Sequence, residues 1–154
     1  MAKMKAENLI TQSLLDRLVD VEDWPTTRAS SMRMYRDSLK RDVEWLLNTR
    51  RPPIPNLQDY PRAFASAINF GLPDINSFSG SANRDENALM LAIVQTLRDF
   101  EPRIQSPRVF LVRNDTANRH IRFHIEGQIL FDSVPEDISF DTVLELSSGE
   151  YEVK

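Results

Sequence analysis

The 154-residue sequence predicts an α+β domain in which N-terminal helices pack on a C-terminal antiparallel sheet of three to four strands. Up to residue 100 the apolar residues recur at intervals of three and four, which is the spacing of one helix face. After residue 104 they alternate with polar residues, as in strands that bury one face. A chain of this length usually forms one domain that buries ~70% of the surface its unfolded form exposes. We therefore expect a flexible N-terminal arm over residues 1–13 and a single domain over residues 14–154.

Two helices are predicted before residue 50. Leu14, Leu15 and Leu18 indicate a short first helix, which the segment VEDWPTT interrupts. Ser30 or Ser31 can cap a second helix, because a serine oxygen accepts hydrogen bonds from unpaired backbone N–H groups. The predicted buried stripe of this helix is Met32, Tyr35, Leu39, Val43, Leu46 and Leu47. The segment NTRRPPIP ends the helix, since its prolines cannot continue it.

A broken helical region and a third long helix follow. One or two helical turns are expected around Phe64 to Ile68, with Gly71 in a left-handed conformation after them. The segment LPDINSFSGSAN is then predicted to be an ordered loop. Asn83 or Asp85 is expected to start the third helix, whose apolar face comprises Ala88, Leu89, Ala92, Ile93, Thr96, Leu97 and Phe100. Met90, Leu91 and Val94 widen that face, so we expect this helix to be covered on more than one side.

The rest of the chain is predicted to form strands. RVFLVRN and HIRFHIEGQILFD are rich in β-branched and aromatic residues, and NDTAN supplies the turn between them. In the longer strand one face carries Ile121, Phe123 and Ile125, and the other carries Arg122, His124 and Glu126. Gly127 predicts a bulge or bend in that strand. A third strand carries Phe140, Thr142, Leu144 and Leu146 on one face, and SSGE turns the chain into the short terminal piece YEVK.

Composition excludes several classes of function. The net charge of −4 does not favour a nucleic-acid-binding protein, and the absence of cysteine excludes disulfides, thiol catalysis and sulfur-ligated zinc. The longest apolar run, ALMLAIV, is far shorter than the ~20 residues of a membrane span. The first residues also lack the apolar core of a signal peptide, so we expect a soluble cytoplasmic protein.

Charge is divided unevenly along the chain. Residues 28–62 contain eight Lys or Arg against four Asp or Glu, a balance of +4. Residues 132–154 contain seven acids against one lysine, a balance of −6. Solvated surface explains such segments most simply, and separate protein-docking faces are the alternative.

The segment TLRDFEPRIQSP places an acid where electrostatics disfavours it. Glu101 ends the third helix, and the partial negative charge of a helix C-terminus repels a carboxylate by ~0.3–1 kcal/mol. Pro102 then stops the helix. Three explanations remain open: Glu101 is a general acid, Glu101 and Arg103 form an internal salt bridge, or both point outwards to meet opposite charges on a partner protein.

Enzymatic chemistry has little support in the sequence. His120 and His124 lie ~13 Å apart along one strand face and cannot share a metal ion. A glycosidase acid needs a second carboxylate ~5–10 Å away. Asp99 points to another side of the helix, Asp74 and Asp85 qualify only by lying near the same loop, and Arg103 favours the ionised form of Glu101. We therefore expect no catalytic, cofactor-binding or metal site.

Three segments occur in the order and spacing of one known family: RDVEWLLNTRR (41–51), NFGLPDINSF (69–78) and FEPRI (100–104). The sequence resembles the phage-tail baseplate wedge family, often labelled lysozyme-like, and in particular its type VI secretion branch. HIRFHIEGQIL and the final GEYEV fit the strand-rich end of the family, so the resemblance covers Leu14 to Val153. Phe70 departs from it, because many members have tyrosine there.

The resemblance implies a structural role in a contractile injection machine. Its implied partners are the other baseplate wedge subunits (TssF, TssG and TssK type) and the sheath subunits (TssB/TssC type), whose strands extend the sheet. It implies no nucleic acid and no direct membrane insertion. The family signature Glu-Pro-Arg falls on Glu101, Pro102 and Arg103, which become the expected protein-interaction residues. The alternative is a peptidoglycan hydrolase with Glu101 as general acid.

Overall fold

The computed structural model describes residues 13–18, 25–74, 82–112, 120–131, 134–145 and 148–154. The helices are α1 (Leu14–Leu18), α2 (Arg28–Asn48), α3 (Pro61–Phe64) and α4 (Ala82–Phe100). The strands are β1 (Gln105–Val112), β2 (His120–Phe131), β3 (Val134–Glu145) and β4 (Tyr151–Val153). They form one antiparallel sheet in the order β1-β2-β3-β4, which confirms the predicted α+β class.

The hydrophobic core lies between one face of this sheet and the helices α2 and α4. Most residues predicted for one side of β2 and β3 and for the stripes of α2 and α4 are buried there, and the others, such as Met32, Tyr35, Phe100 and Ile121, are half-buried against them. The buried cluster includes Leu39, Val43, Leu46, Leu47, Leu89, Ile93, Leu97, Phe123, Ile125, Phe140 and Leu144. Leu91 is 71% exposed, however, so the prediction that it widens the buried face of α4 is wrong.

Two helix starts differ from the prediction. Helix α2 is capped by Thr27, whose hydroxyl accepts from the backbone N–H of Ser30. The Ser30 hydroxyl accepts in return from the N–H of Thr27, so the two residues form a capping box. Ser30 therefore takes part in the cap without being the N-cap residue. Helix α4 begins at Ala82, slightly before the predicted start at Asn83 or Asp85.

The region between α2 and α4 is helical in short pieces. Helix α3 ends at Phe64, and a 3₁₀ turn follows at Ala67–Asn69. Gly71 then has a φ of +101°, as the predicted positive-φ position requires. A Cβ there would lie 2.3 Å from the carbonyl oxygen of Thr49, because the chain returns to pair with the end of α2 through Leu72. Glycine is thus needed at this position for both conformation and space.

The predicted irregularity at Gly127 lies in the partner strand. Between the pairs Gln105↔Gln128 and Arg108↔Glu126, two residues of β1 face the single residue Gly127 of β2. Ser106, in this bulge, has a φ of +49°. A side chain at Gly127 would overlap Ile104, since an added Cβ would lie 2.4 Å from its Cγ2. The bulge therefore belongs to β1, and Gly127 leaves room for Ile104, the residue just before β1.

Several predicted features lie outside the described residues. They are the turn NDTAN, Leu146, most of the loop LPDINSFSGSAN and nearly all of the N-terminal arm. Within the described helices, none is long and apolar enough to cross a membrane.

Candidate functional site

Glu101 is turned into the protein at the end of α4. Its backbone N–H still donates to the carbonyl of Leu97, at 2.9 Å, and its own carbonyl accepts from Ile104, at 3.1 Å. The residue is only 5% exposed. The buried Ile104 fixes the turn through Pro102 and Arg103 against the core. The expectation that Glu101 points outwards is therefore wrong.

Arg103 holds both oxygens of the Glu101 carboxylate. Its Nε donates to Oε1 at 2.6 Å, and its Nη2 donates to Oε2 at 2.5 Å. This fork-shaped contact is the internal salt bridge, and charge-assisted hydrogen bonds of this kind contribute ~1.5–3 kcal/mol. That exceeds the penalty for an acid at a helix end. The bonds to Glu101 also raise the pKa of Arg103 further above its usual value.

Asp42 of α2 extends this pair into a larger network. Its Oδ2 accepts from Nη2 of Arg103 at 2.7 Å, and its Oδ1 accepts from Nη2 of Arg41 at 2.9 Å. Arg41 in turn donates to Asp16 of α1 at 2.7 Å. We call these residues the ion network: Asp16, Arg41, Asp42, Glu101 and Arg103. It joins α1, α2 and the end of α4.

The network shifts the pKa values of the two residues at its far end, Asp16 and Arg41. Burial alone would raise the pKa of Asp16, but hydrogen bonds from Arg41 and Ser13 hold that pKa below its usual value. The hydrogen bond to Asp16 likewise raises the pKa of Arg41. Asp16 and Arg41 therefore each stabilise the charged form of the other.

Sequence analysis did not single out Asp16, Arg41 or Asp42. Arg41 and Asp42 open the segment RDVEWLLNTRR, which carried part of the family resemblance, so a signal for them was present. Nothing in the spacing, however, relates Asp42 to Arg103. Their contact joins helix α2 to the turn after α4, 61 residues further along the chain, and only the packed structure brings them together.

The described carboxylate that the structure brings to Glu101 is one that the sequence did not suggest. The carboxylate that shares Arg103 with it is Asp42, whereas Asp99 accepts from Gln95 on the exposed side of α4. Asp74 lies at the exposed surface before the loop. The side chain of Asp85 is outside the described part of the chain.

The two histidines both lie on strand β2 but have different neighbours. His124 contacts Asp141 through Nδ1 at 2.7 Å and Glu126 through Nε2 at 3.4 Å. His120 lies at the start of β2, opposite Glu145. Within the described ranges, no three His, Asp or Glu residues are grouped so as to hold a metal ion.

The two edges of the sheet differ in whether helix α2 covers them. The amide of Asn48 donates to the carbonyl of Tyr151 and accepts from its N–H, both at 2.8 Å. Glu44 accepts from the N–H of Val153 at 3.2 Å. Arg50 adds a bond to the carbonyl of Gly149 in the turn before β4. Side chains of α2 thus occupy the backbone groups that β4 would otherwise offer to another strand.

Strand β1 forms the other edge, and no described strand lies beyond it. Val109 and Leu111 pack against the core on one face. On the opposite face Phe110 is 46% exposed and Val112 is 42% exposed. A run of apolar residues on both faces is typical of strands whose two faces are both covered. In β1, Phe110 and Val112 instead expose apolar surface on the face turned away from the core.

Comparison with known proteins places the chain in a family. No curated protein and no solved structure matches it. The model of the family described as baseplate wedge protein gp25 matches residues 33–133, a range that contains Arg41, Asp42, Glu101, Arg103 and strands β1 and β2. The chain therefore belongs to the baseplate wedge protein gp25 family, which supports a structural role in a phage-tail-like baseplate alongside other baseplate components.

Proposed function

We propose that this protein is a TssE-type baseplate subunit of a contractile type VI secretion system and acts in the cytoplasm. In this proposal the motif Glu101, Pro102 and Arg103 docks it to the other wedge subunits, of the TssF, TssG and TssK type. Pro102 and Arg103 reach the surface, and the buried Glu101 holds Arg103 in place. Its sheet templates the first ring of sheath subunits, of the TssB/TssC type. Family membership supports the baseplate role, and the resemblance of the motifs supports the secretion-system branch.

The exposed edge of β1 is the observation that carries the templating proposal. A strand added beside β1 would pair with its backbone and place apolar side chains next to Phe110 and Val112. The bulge at Ser106 restricts regular pairing to the part of the strand that follows it. The other edge is occupied by Asn48 and Glu44. We therefore assign the sheath contact to residues 108–112.

Lysine substitution at the edge tests this assignment. Lysine on an edge strand is a natural block to strand addition, because its charge would be buried by the incoming chain. We expect Val112→Lys and Phe110→Lys to lower the affinity for sheath subunits about tenfold or more, which corresponds to ~1.4 kcal/mol. The measurement is recruitment of purified sheath subunits to an assembled baseplate, followed by sedimentation.

The matched control is Leu91→Lys, which places the same charge on an exposed leucine of α4. Wedge assembly and the melting temperature should be nearly unchanged in all three variants, since the replaced side chains lie at the surface and a lysine stem can cover the same area. Normal sheath recruitment by both edge variants would contradict the templating assignment.

A further inference from the structure

Arg103 has hydrogen-bonding capacity that the ion network does not use. A guanidinium has five N–H donors. The donors on Nε and Nη2 bind Glu101 and Asp42, whereas Nη1 has no partner among the described residues. The side chain is 26% exposed, so it retains access to the surface. The carboxylates of Glu101 and Asp42 fix the orientation of the guanidinium. The two unused N–H donors of Nη1 therefore have a fixed direction.

Tyr35 supplies a second polar group near the same place. It lies on the same side of α2 as Asp42, two helical turns earlier, and is half-buried against the core. Burial raises the pKa of its hydroxyl, with opposing contributions from Arg103 and Glu101, which places the ring within electrostatic reach of both. Among the described residues none forms a hydrogen bond with this hydroxyl. It is therefore a second unpaired donor in the surroundings of Arg103.

The charge of the ion network restricts what these donors can bind. Three carboxylates (Asp16, Asp42 and Glu101) and two guanidinium groups (Arg41 and Arg103) leave a net charge of −1. A further carboxylate at Arg103 would lie close to Glu101 and Asp42 and be repelled by both. A backbone carbonyl or a side-chain amide oxygen accepts the same hydrogen bonds without that repulsion.

We propose that Nη1 of Arg103, together with the Tyr35 hydroxyl, binds an uncharged oxygen acceptor on a neighbouring wedge subunit, and that Asp42 is the residue that positions Arg103 for this contact. The inference rests on the proposed docking role of Arg103. It differs from a simple ion pair across the interface, because the charges of the motif are already paired within the chain.

Substitutions at Asp42 separate its charge from its geometry. Asp42→Asn keeps an oxygen that accepts from Nη2 of Arg103 and removes the charge, whereas Asp42→Ala removes both. For an uncharged acceptor, we expect Asp42→Asn to change the affinity for the purified wedge complex less than about threefold. Asp42→Ala should lower it about tenfold or more, and Tyr35→Phe should lower it by a smaller factor. The matched control is Asp37→Asn, the same charge change at an exposed position of α2.

Binding is measured by calorimetry at two salt concentrations, beside a thermal melt of each variant to show that it is folded. Tighter binding by Asp42→Asn, or steep weakening of the wild type with salt, would show that the partner presents a carboxylate and would overturn the inference. Equal losses for Asp42→Asn and Asp42→Ala would overturn it too, because the partner would then bind the charge of Asp42. If Arg103→Lys binds normally, the proposed docking role itself fails.

Discussion

Glu101 shows how one unfavourable residue is accommodated within the chain. The repulsion at the helix end is ~0.3–1 kcal/mol, and two charge-assisted hydrogen bonds from Arg103 offset it. Pro102 makes this possible, since it stops the helix and turns Arg103 back towards the carboxylate. The motif therefore combines a helix stop with an internal ion pair. Docking to a partner is the role that we propose for the exposed part of Arg103.

Removing Arg103 should destabilise the fold. Arg103→Ala leaves the buried Glu101 carboxylate without its cation, and the loss should lie between the ~0–1 kcal/mol of an exposed pair and the ~3–5 kcal/mol of a buried one. Urea unfolding measures this difference. Arg62→Ala, at an exposed arginine, is the control and should change stability by less than ~0.5 kcal/mol. Equal stability of the two variants would mean that Glu101 does not depend on Arg103.

Polar side chains of helix α2 connect it to several other elements of the domain. Its last turns contact two other parts of the chain: Asp42 binds Arg103, and Glu44 and Asn48 bind β4. Just after the helix, Arg50 binds the turn before β4. Leu39, Val43 and Leu47 of the same helix are buried in the core. The segment RDVEWLLNTRR is thus explained by tertiary contacts that its amphipathic pattern does not reveal.

Opening the β4 edge should cost stability. Asn48→Leu keeps the approximate size of the side chain but leaves the N–H and the carbonyl of Tyr151 unpaired. Each unsatisfied group costs ~1–3 kcal/mol when it is shielded from water. We expect a loss of that order in urea unfolding and faster hydrogen exchange at the Tyr151 amide. Gln95→Leu, at an exposed amide of α4, should do neither, and unchanged exchange in Asn48→Leu would contradict the closure of this edge.

Periodicity predicted the elements better than it predicted their ends and contacts. The apolar stripe of α2 and the alternation in β2 and β3 directly reflect which face is buried. The sequence pattern is therefore sufficient to predict these elements. The cap at Thr27 was missed because Ser30, three residues later, has the same chemistry. Gly127 predicts a bulge in β2, whereas the bulge lies in β1 and the glycine makes room for Ile104. Register and packing decide such details.

The basic and acidic segments of the sequence partly neutralise each other in the folded molecule. The basic segment lies mainly on α2 and the acidic segment on β3 and β4, and packing brings them together. Arg36 lies 3.8 Å from Glu136, and Arg50 holds the turn at Gly149. The two segments are therefore neighbours in space at these two contacts.

The arrangement of carboxylates across the molecule leads us to expect no muramidase activity. A retaining or inverting glycosidase needs one carboxylic acid that donates a proton to the leaving group and a second carboxylate ~5–10 Å away across the sugar. In this fold both oxygens of Glu101 accept from Arg103, and Asp42 binds the same guanidinium. The two acids are thus arranged to hold a cation, and Glu101 is 5% exposed, which leaves little access for a polysaccharide.

Purified protein should leave the turbidity of a peptidoglycan suspension unchanged over a range of pH, beside a lysozyme that clears it. Glu101→Gln is the informative variant, because it removes the proton donor while nearly preserving the size of the side chain. A thermal melt must accompany it, since the substitution also weakens the bond to Arg103. Clearing by the wild type that is lost in a folded Glu101→Gln protein would establish the hydrolase alternative. It would also mean that the carboxylate leaves Arg103 to reach a substrate.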